Sequence, residues 1–293
     1  MGQIQPIASK AIDSFQNAVA AVAMQGRRKA MEDTHQICVL GDRHPDIFFA
    51  AVYDGHGGDE VAKYLRDHLH EKLDQSNDPM SEAEIRRAFL DVDSDIRNKG
   101  ENASFVVGSK DGEEMRHCGA AAVVALIQPV KNAPGRFQVT IANCGDSGAL
   151  LVASTAHQAL TKDHKPENEI ERKRIEAAGM AVWNGRVAGD INLSRAFGDH
   201  AKFKSQPNIA PEKQPVSVEP DVSRHTWQAG DDAHYLVLYC DGITESLKES
   251  GQIAEVVRTK KAESKSTTDH AASVLSAAFC GNCIDMLICH INV

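Results

Sequence analysis

Phe48-Phe49-Ala50-Ala51-Val52-Tyr53-Asp54-Gly55-His56-Gly57-Gly58 is an apolar run that stops abruptly on an aspartate and a glycine. The same grammar recurs in Ala142-Asn143-Cys144-Gly145-Asp146-Ser147 and in Leu238-Tyr239-Cys240-Asp241-Gly242-Ile243-Thr244-Glu245. An aspartate at the end of a buried strand is costly unless it is hydrogen-bonded or bound to a cation. The neighbouring glycine lets the chain turn sharply and brings a carbonyl close to whatever the aspartate holds. One such site reads as an ordinary turn. Three of them put several carboxylates at one edge if the strand ends converge, and like charges that close are unfavourable without cations. Oxygen-only ligands select hard ions, so Mg²⁺ or Mn²⁺ is the natural occupant. A zinc site would want more His or Cys at close spacing. His56 has three readings here: a fourth ligand, a general acid, or a core histidine satisfied by a hydrogen bond.

A further cluster, Arg28-Lys29-Ala30-Met31-Glu32-Asp33, precedes these runs. Arg28 lies four residues before Glu32, so it is either half of a surface ion pair, which contributes little, or a fork for phosphate oxygens.

Outward from these motifs the chain alternates in blocks. Short apolar runs at 20–24, 36–40, 47–53, 120–127, 137–142, 149–152, 181–183, 235–239 and 285–293 read as strands. Val61, Leu65, Leu69 and Leu73 form one helical stripe. Ser81 with Glu84 resembles a capping box ahead of a second face at Ile85, Phe89, Val92 and Ile96. A helix over 167–178 ends at Gly179, and two more fit around 250–260 and 268–279. The order is not a regular βαβα alternation. It predicts an α+β fold with mostly antiparallel sheets. Residues 1–19 read as an N-terminal arm and 20–293 as a single domain. The proline-containing stretch 203–220 reads as a long surface loop placed to help choose substrates.

Composition narrows the function. With 293 residues the chain can bury a full core. A formal charge of −9 argues against a broad nucleic-acid footprint, which needs a basic face. No apolar stretch reaches the length of a membrane span, and the N-terminus lacks the apolar core of a signal peptide. Met1-Gly2 starts like a myristoylation motif, but the sixth residue is Pro6 and the motif fails. The seven cysteines are irregularly spaced, and Cys38, Cys144, Cys240 and Cys289 sit in apolar runs. That pattern reads as free thiols in a reducing compartment, hence a cytoplasmic and also a nuclear location. Cys280 and Cys283 form one CxxC, but a strand follows it where a redox motif would open a helix.

Taken in order, Met31-Glu32-Asp33, Asp54 to Gly58, Asn143 to Ser147, Asp163-His164-Lys165-Pro166, Leu193 to Asp199, Glu219-Pro220-Asp221-Val222 and Cys240-Asp241-Gly242 resemble the metal-dependent protein phosphatases of type 2C. The resemblance covers about residues 20–293. It implies a four-layer α-β-β-α sandwich, two antiparallel sheets flanked by helices, with the metals in a cleft at one end. It implies that Asp54 bridges two metals, that the Gly55 carbonyl binds one, and that Asp241 is a direct ligand of the other. Glu32 and Asp33 would hold metal-bound waters, and Asp146, Asp241 and Glu245 a weaker third ion. Arg28 would grip phosphate and His56 act as general acid. Two cations about 4 Å apart activate a water that attacks phosphorus, and the poor seryl or threonyl leaving group takes a proton from His56. The expected partners are phosphorylated proteins, and the expected state is a monomer.

The match departs from the family at three places. The family closes with Asp-Asn where Ile284-Asp285 stands here, so Asp285 comes one place late. A one-residue slip turns a strand side chain to the opposite face. Either the backbone bulges and Asp285 still binds metal, or one metal has lost a ligand. Gly148 replaces an arginine after Gly145-Asp146-Ser147, and Thr244-Glu245 replaces Trp-Asp. These changes leave a second reading, a weak or inactive relative serving as a regulatory binding module. A third, a small-molecule phosphoesterase on the same scaffold, stays open because fold does not fix substrate.

Overall fold

The computed structural model describes residues 4–5, 19–103, 115–204, 209–228, 235–264, 266–278 and 284–290. Two six-stranded sheets dominate, and all their ladders are antiparallel. The first runs β1 (Ile4–Gln5), β2 (Val19–Met24), β14 (Ile284–His290), β13 (Tyr235–Tyr239), β7 (Gly148–Val152), β8 (His157–Ala159). The second runs β12 (Asp221–Gln228), β6 (Arg136–Cys144), β5 (Gly119–Pro129), β4 (Phe48–His56), β3 (Thr34–Val39). A short β11 (Phe197–Gly198) adds to β5. The hairpin β9 (Val182–Trp183) and β10 (Arg186–Val187) stands apart.

Strand periodicity builds the layers, because successive side chains point to opposite faces. On β4, Ala50 and Val52 face β13 and β14, meeting Leu236, Leu238 and Leu287 between the sheets. The alternate residues Phe49, Ala51 and Tyr53 face outward onto α1 (Glu60–Asp74) and α2 (Glu82–Ala103). Both predicted helical stripes are buried there: Val61, Leu65, Leu69 and Leu73, then Ile85, Phe89, Val92 and Ile96. The Ser81 hydroxyl accepts the Glu84 amide at 3.5 Å, as the capping signal anticipates. On the far side, Val237, Met286 and Ile288 face α5 (Ser250–Glu263) and α6 (Thr267–Ala278) through Ile253, Val257 and Val274. The four layers are therefore helix, sheet, sheet, helix, as expected.

A satellite core of Ile175, Val187, Leu193, Ala196, Phe203 and Val216 joins α3 (Glu169–Ala177) to the β9–β10 hairpin. Gly179 follows α3 at φ +84, the left-handed cap expected of it. Here one expectation needs correcting. The stretch 203–220 is not simply a surface loop: Phe203, Lys204, Gln214, Val216, Ser217 and Val218 are buried. Several elements carry no signal in the runs above, among them two that shape the site. β12 pairs with β6 over all eight of its residues, and α4 (Asp241–Ser246) begins on an aspartate of the site. Cys118, Cys144 and Cys240 are buried and Cys38 is half-buried, none of the four in a disulfide. Burial pushes the Cys38, Cys118 and Cys144 thiols up to about 12, so they stay protonated and inert. Cys280 and Cys283 lie outside the described residues. Among the described residues no helix is long and apolar enough to cross a membrane.

Candidate metal centre

The same alternation that fills the gap between the sheets with apolar groups places acids at one end of it. Val52 faces that gap, so Asp54, two residues on, does too. Ile37 on β3 faces it, which puts His35 and Asp33 on the same side. Leu287 on β14 faces it, and so does Asp285. Cys240 closes β13 within the same core, and Asp241 follows as the first residue of α4. Asp146 lies where the chain leaves β6 of one sheet and enters β7 of the other. Both sheets thus deliver carboxylates to one edge.

Carboxylate oxygens of Asp54, Asp146 and Asp241 lie within 4.8 Å of one another. The Asp241 amide donates to Asp54 Oδ2 at 3.2 Å, stitching the two strand ends together. The electrostatics are those of crowded acids. Burial, then Asp33, Asp241 and Asp146, raise the Asp54 carboxyl well above its ordinary range. Burial and Asp285 raise Asp33 to about 7, and burial, Asp146 and Glu245 raise Asp241 to about 6. One cation of the protein enters the group: the Lys165 ammonium pairs with Asp146. Asp54 and Asp241 keep no lysine or arginine partner among the described residues.

Glycines make the close approaches possible. A Cβ on Gly55 would stand 2.3 Å from the Glu32 carbonyl oxygen, so only glycine lets these two backbones meet. Gly145, at φ +122, would drive a Cβ to 2.4 Å from that of Ala121. Its amide donates to His164 Nδ1 at 3.1 Å, and the Asn143 amide group donates to its carbonyl at 3.3 Å. His164 and Lys165 from one family-like motif therefore brace the Gly145-Asp146 turn of another.

The cleft around these acids encloses 470 Å³ and is lined by Arg28, Glu32, Asp33, Asp54, Gly55, His56, Asp146, Asp241 and Glu245. Arg28 is exposed, and among the described residues neither it nor Glu32 forms an ion pair, so the surface-pair reading of Arg28 finds no support. His56 is not a core histidine, since it lines the cleft with Nε2 at 2.9 Å from Asp199 Oδ2. Burial opposes its protonation, but Asp199, Asp146 and Glu32 outweigh that and raise its pKa.

Asp285 behaves differently from the other acids. The ladders of β14 with β2 and with β13 run without a bulge, and Asp285 lies on the same face as Leu287, toward the gap. Of the two readings of the one-place offset, the bulge is absent, yet Asp285 still faces the gap. The carboxylate is fully buried and both its oxygens sit 2.9 Å from His35 Nδ1. It lies in a separate 350 Å³ depression that shares Glu32 and Asp33 with the cleft, outside the three-carboxylate group. Residues that motif reading did not single out also line the cleft, namely His117, Arg186, Asp190, Asn192 and Asp199. Asp199 and Lys165 stood within quoted motifs; Arg186 and Asp190 carried no local signal.

An all-oxygen donor set, acids raised by their own crowding, and a carbonyl admitted by a glycine fit a hard divalent cation. Fold and cleft together define an α-β-β-α sandwich with an acidic cleft suited to metal. The family is then shown by comparison. Residues 17–286 match the family model described as Protein phosphatase 2C, and the chain belongs to that family. "Protein phosphatase 2C homolog 2" of Aspergillus flavus is 36% identical over 248 residues, covering 80% of this chain and 53% of that one. "Probable protein phosphatase 2C 4" of Paramecium tetraurelia is 35% identical over 233 residues, covering 78% and 73%. The chain thus spans about half the length of the Aspergillus relative. A crystal structure of a phosphatase from Toxoplasma gondii superposes with a TM-score of 0.78 at 28% identity, covering 93% of each chain. Membership of the family implies dependence on divalent metal.

Proposed function

We propose that this protein is a metal-dependent serine/threonine protein phosphatase. The observation that carries the reading is the convergence of Asp54, Asp146 and Asp241 within 4.8 Å, from both sheets, in a cleft that also holds Arg28 and His56. Asp54, the Gly55 carbonyl and Asp241 would hold two Mg²⁺ or Mn²⁺ ions, with Glu32 and Asp33 acting through water. Asp146, Asp241 and Glu245 would offer a weaker third position, in competition with Lys165. Bound there, the ions supply an activated water and charge neutralisation for a phosphate ester.

The chain's own groups do the rest. The Arg28 guanidinium, without an ion-pair partner among the described residues and exposed at the cleft, presents a planar fork to two phosphoryl oxygens. His56, whose pKa Asp199, Asp146 and Glu32 raise against the effect of burial, delivers a proton to the departing seryl or threonyl oxygen. The buried thiols, pushed up to about 12, are unsuited to a cysteinyl-phosphate route. Asp285 is a candidate ligand on the inner side of Asp33, its carboxylate held by His35. The inactive-module alternative is not favoured, since Arg28, Glu32, Asp33, Asp54, His56, Asp146 and Asp241 all meet in one cleft. Free thiols suit a reducing compartment, cytoplasm or nucleus.

The test is release of phosphate from phosphoserine, phosphothreonine and phosphotyrosine peptides with excess Mn²⁺. The reading expects turnover of the first two, stopped by chelator and by Asp54→Asn. Purified protein that turns over none of them with Mn²⁺ or Mg²⁺ would hand the site to a binding role.

A further inference from the structure

Gly119 opens β5 and is flanked on both sides, by His56 of β4 and by Gly198 of β11. A Cβ on Gly119 would lie 2.4 Å from Asp199 Oδ2, 2.5 Å from His56 Nε2 and 2.7 Å from the Phe197 carbonyl oxygen. The missing side chain is therefore the space in which the His56–Asp199 hydrogen bond, 2.9 Å long, is made. Asp199 is held there at some expense. Its φ is +57, directly after Gly198 at φ +77, and a left-handed non-glycine residue costs on the order of 1–3 kcal/mol.

The loop that carries Asp199 is pinned from two sides. The Asp199 amide donates to the Cys118 carbonyl at 3.0 Å. From beneath, Asp93 of α2 accepts the Gly198 amide at 2.8 Å and the Lys204 ammonium at 2.9 Å. Lys204 also donates to the Ala196 carbonyl at 2.7 Å, and His200 Nε2 lies 3.1 Å from the Asp93 carbonyl oxygen. Asp93, His200 and Lys204 are all buried. A charged clamp under the loop, a strained aspartate on it and a glycine cut-out beside it serve one side-chain contact. That contact fixes the rotation of the His56 ring, which lines the cleft, and leaves Nδ1 outside the pair.

We propose that Asp199 is a positioning residue that orients His56 for proton delivery to the leaving group, with Gly119 and the Asp93–Lys204 clamp as its built support. This rests on His56 being the proton donor. Three variants, His56→Ala, Asp199→Ala and Asp199→Asn, are compared with wild type on a phosphothreonine peptide and on p-nitrophenyl phosphate, whose leaving group needs no proton. Mn²⁺ affinity is measured on each by calorimetry. General acid catalysis is worth about 10²–10⁴-fold. Asp199→Ala is expected to lower kcat on the peptide by about 10- to 100-fold, less than the full effect because the His56 ring itself remains. The aryl phosphate rate stays within about threefold, and KM and Mn²⁺ affinity are unchanged. Asp199→Asn recovers part of the loss, because its amide oxygen still accepts from Nε2–H. Equal slowing of both substrates, or weaker Mn²⁺ binding without substrate selectivity, makes Asp199 merely structural and overturns the proposal. If His56→Ala slows both substrates equally, the proton-donor reading itself fails. If His56→Ala is selective and neither Asp199 variant is, only the orienting role fails.

Discussion

Lys204→Met is the sharpest probe of how the site is supported. Lys204 is 2% exposed and its ammonium sits 2.9 Å from Asp93 Oδ1, itself in a residue 5% exposed. Burial alone would raise the Asp93 carboxyl; Lys204 and His200 more than reverse that and hold it well below the usual carboxylate range. Methionine fills the same volume but leaves Asp93 with the Gly198 amide and His200 alone. Removing one partner of a buried ion pair costs about 3–5 kcal/mol, because the other charge is stranded. At about 2 °C per kcal/mol for a chain of this size, Tm falls by about 6–10 °C.

The sign with pH is also determined. A depressed Asp93 contributes stability above the unfolded carboxylate range and loses it as pH falls. In the variant, burial without Lys204 pushes the carboxyl above its unfolded value, so protonation relieves the variant and its deficit against wild type shrinks as pH falls from about 7 toward about 4. Adding Asp93→Asn to Lys204→Met removes the stranded charge, keeps an acceptor for Gly198, and restores most of the loss. Urea melts of the three proteins at both pH values give the comparison. A Lys204→Met protein within about 1 kcal/mol of wild type at pH 7, below the range for a broken buried pair, would refute the reasoning.

In metal-free protein, burial and neighbouring carboxylates push Asp33 up to about 7 and Asp241 up to about 6, from an ordinary aspartate value of 3.8. Raised carboxyls stabilise the fold while protonated, so stability is full below the unfolded value and falls as pH rises through about 6 to about 7; chelator-treated melts from pH 5 to 8 should show this, and excess Mg²⁺ should flatten it. Gly145→Ala pushes a Cβ to 2.4 Å from Ala121 at φ +122; overpacking and backbone strain together cost about 2–5 kcal/mol. Melting would register that loss, and Mn²⁺ affinity should fall with it as the Asp146 turn shifts.

Much of the fold was legible because strong periodicities fix faces. The stripe through Val61, Leu65, Leu69 and Leu73 and the alternation through Ala50 and Val52 each have one geometric solution. β12 escaped because Ser223, Arg224, His225 and Thr226 give a half-exposed edge strand no apolar signal. The burial of Lys204 could not be read locally, since its partner Asp93 is 111 residues away. Within the site, each acid beside a glycine was visible, as was the need for a cation among them. Asp199 was quoted within a motif, yet its contact with His56 spans 143 residues. For Asp285 the motif offset leaves two readings open, a bulge or a lost ligand; the ladder with β2 has no bulge and still carries its side chain to the gap. Side-chain direction on a strand follows pairing, which single residues do not reveal.

The gathering of acids from two sheets around hard cations is tested most directly by calorimetric titration of chelator-stripped protein with Mn²⁺, wild type beside Asp54→Asn. Saturable binding by wild type, lost or greatly weakened when Asp54 gives up its charge, is the predicted result. No heat of binding in wild type, or the same isotherm for both proteins, would contradict it.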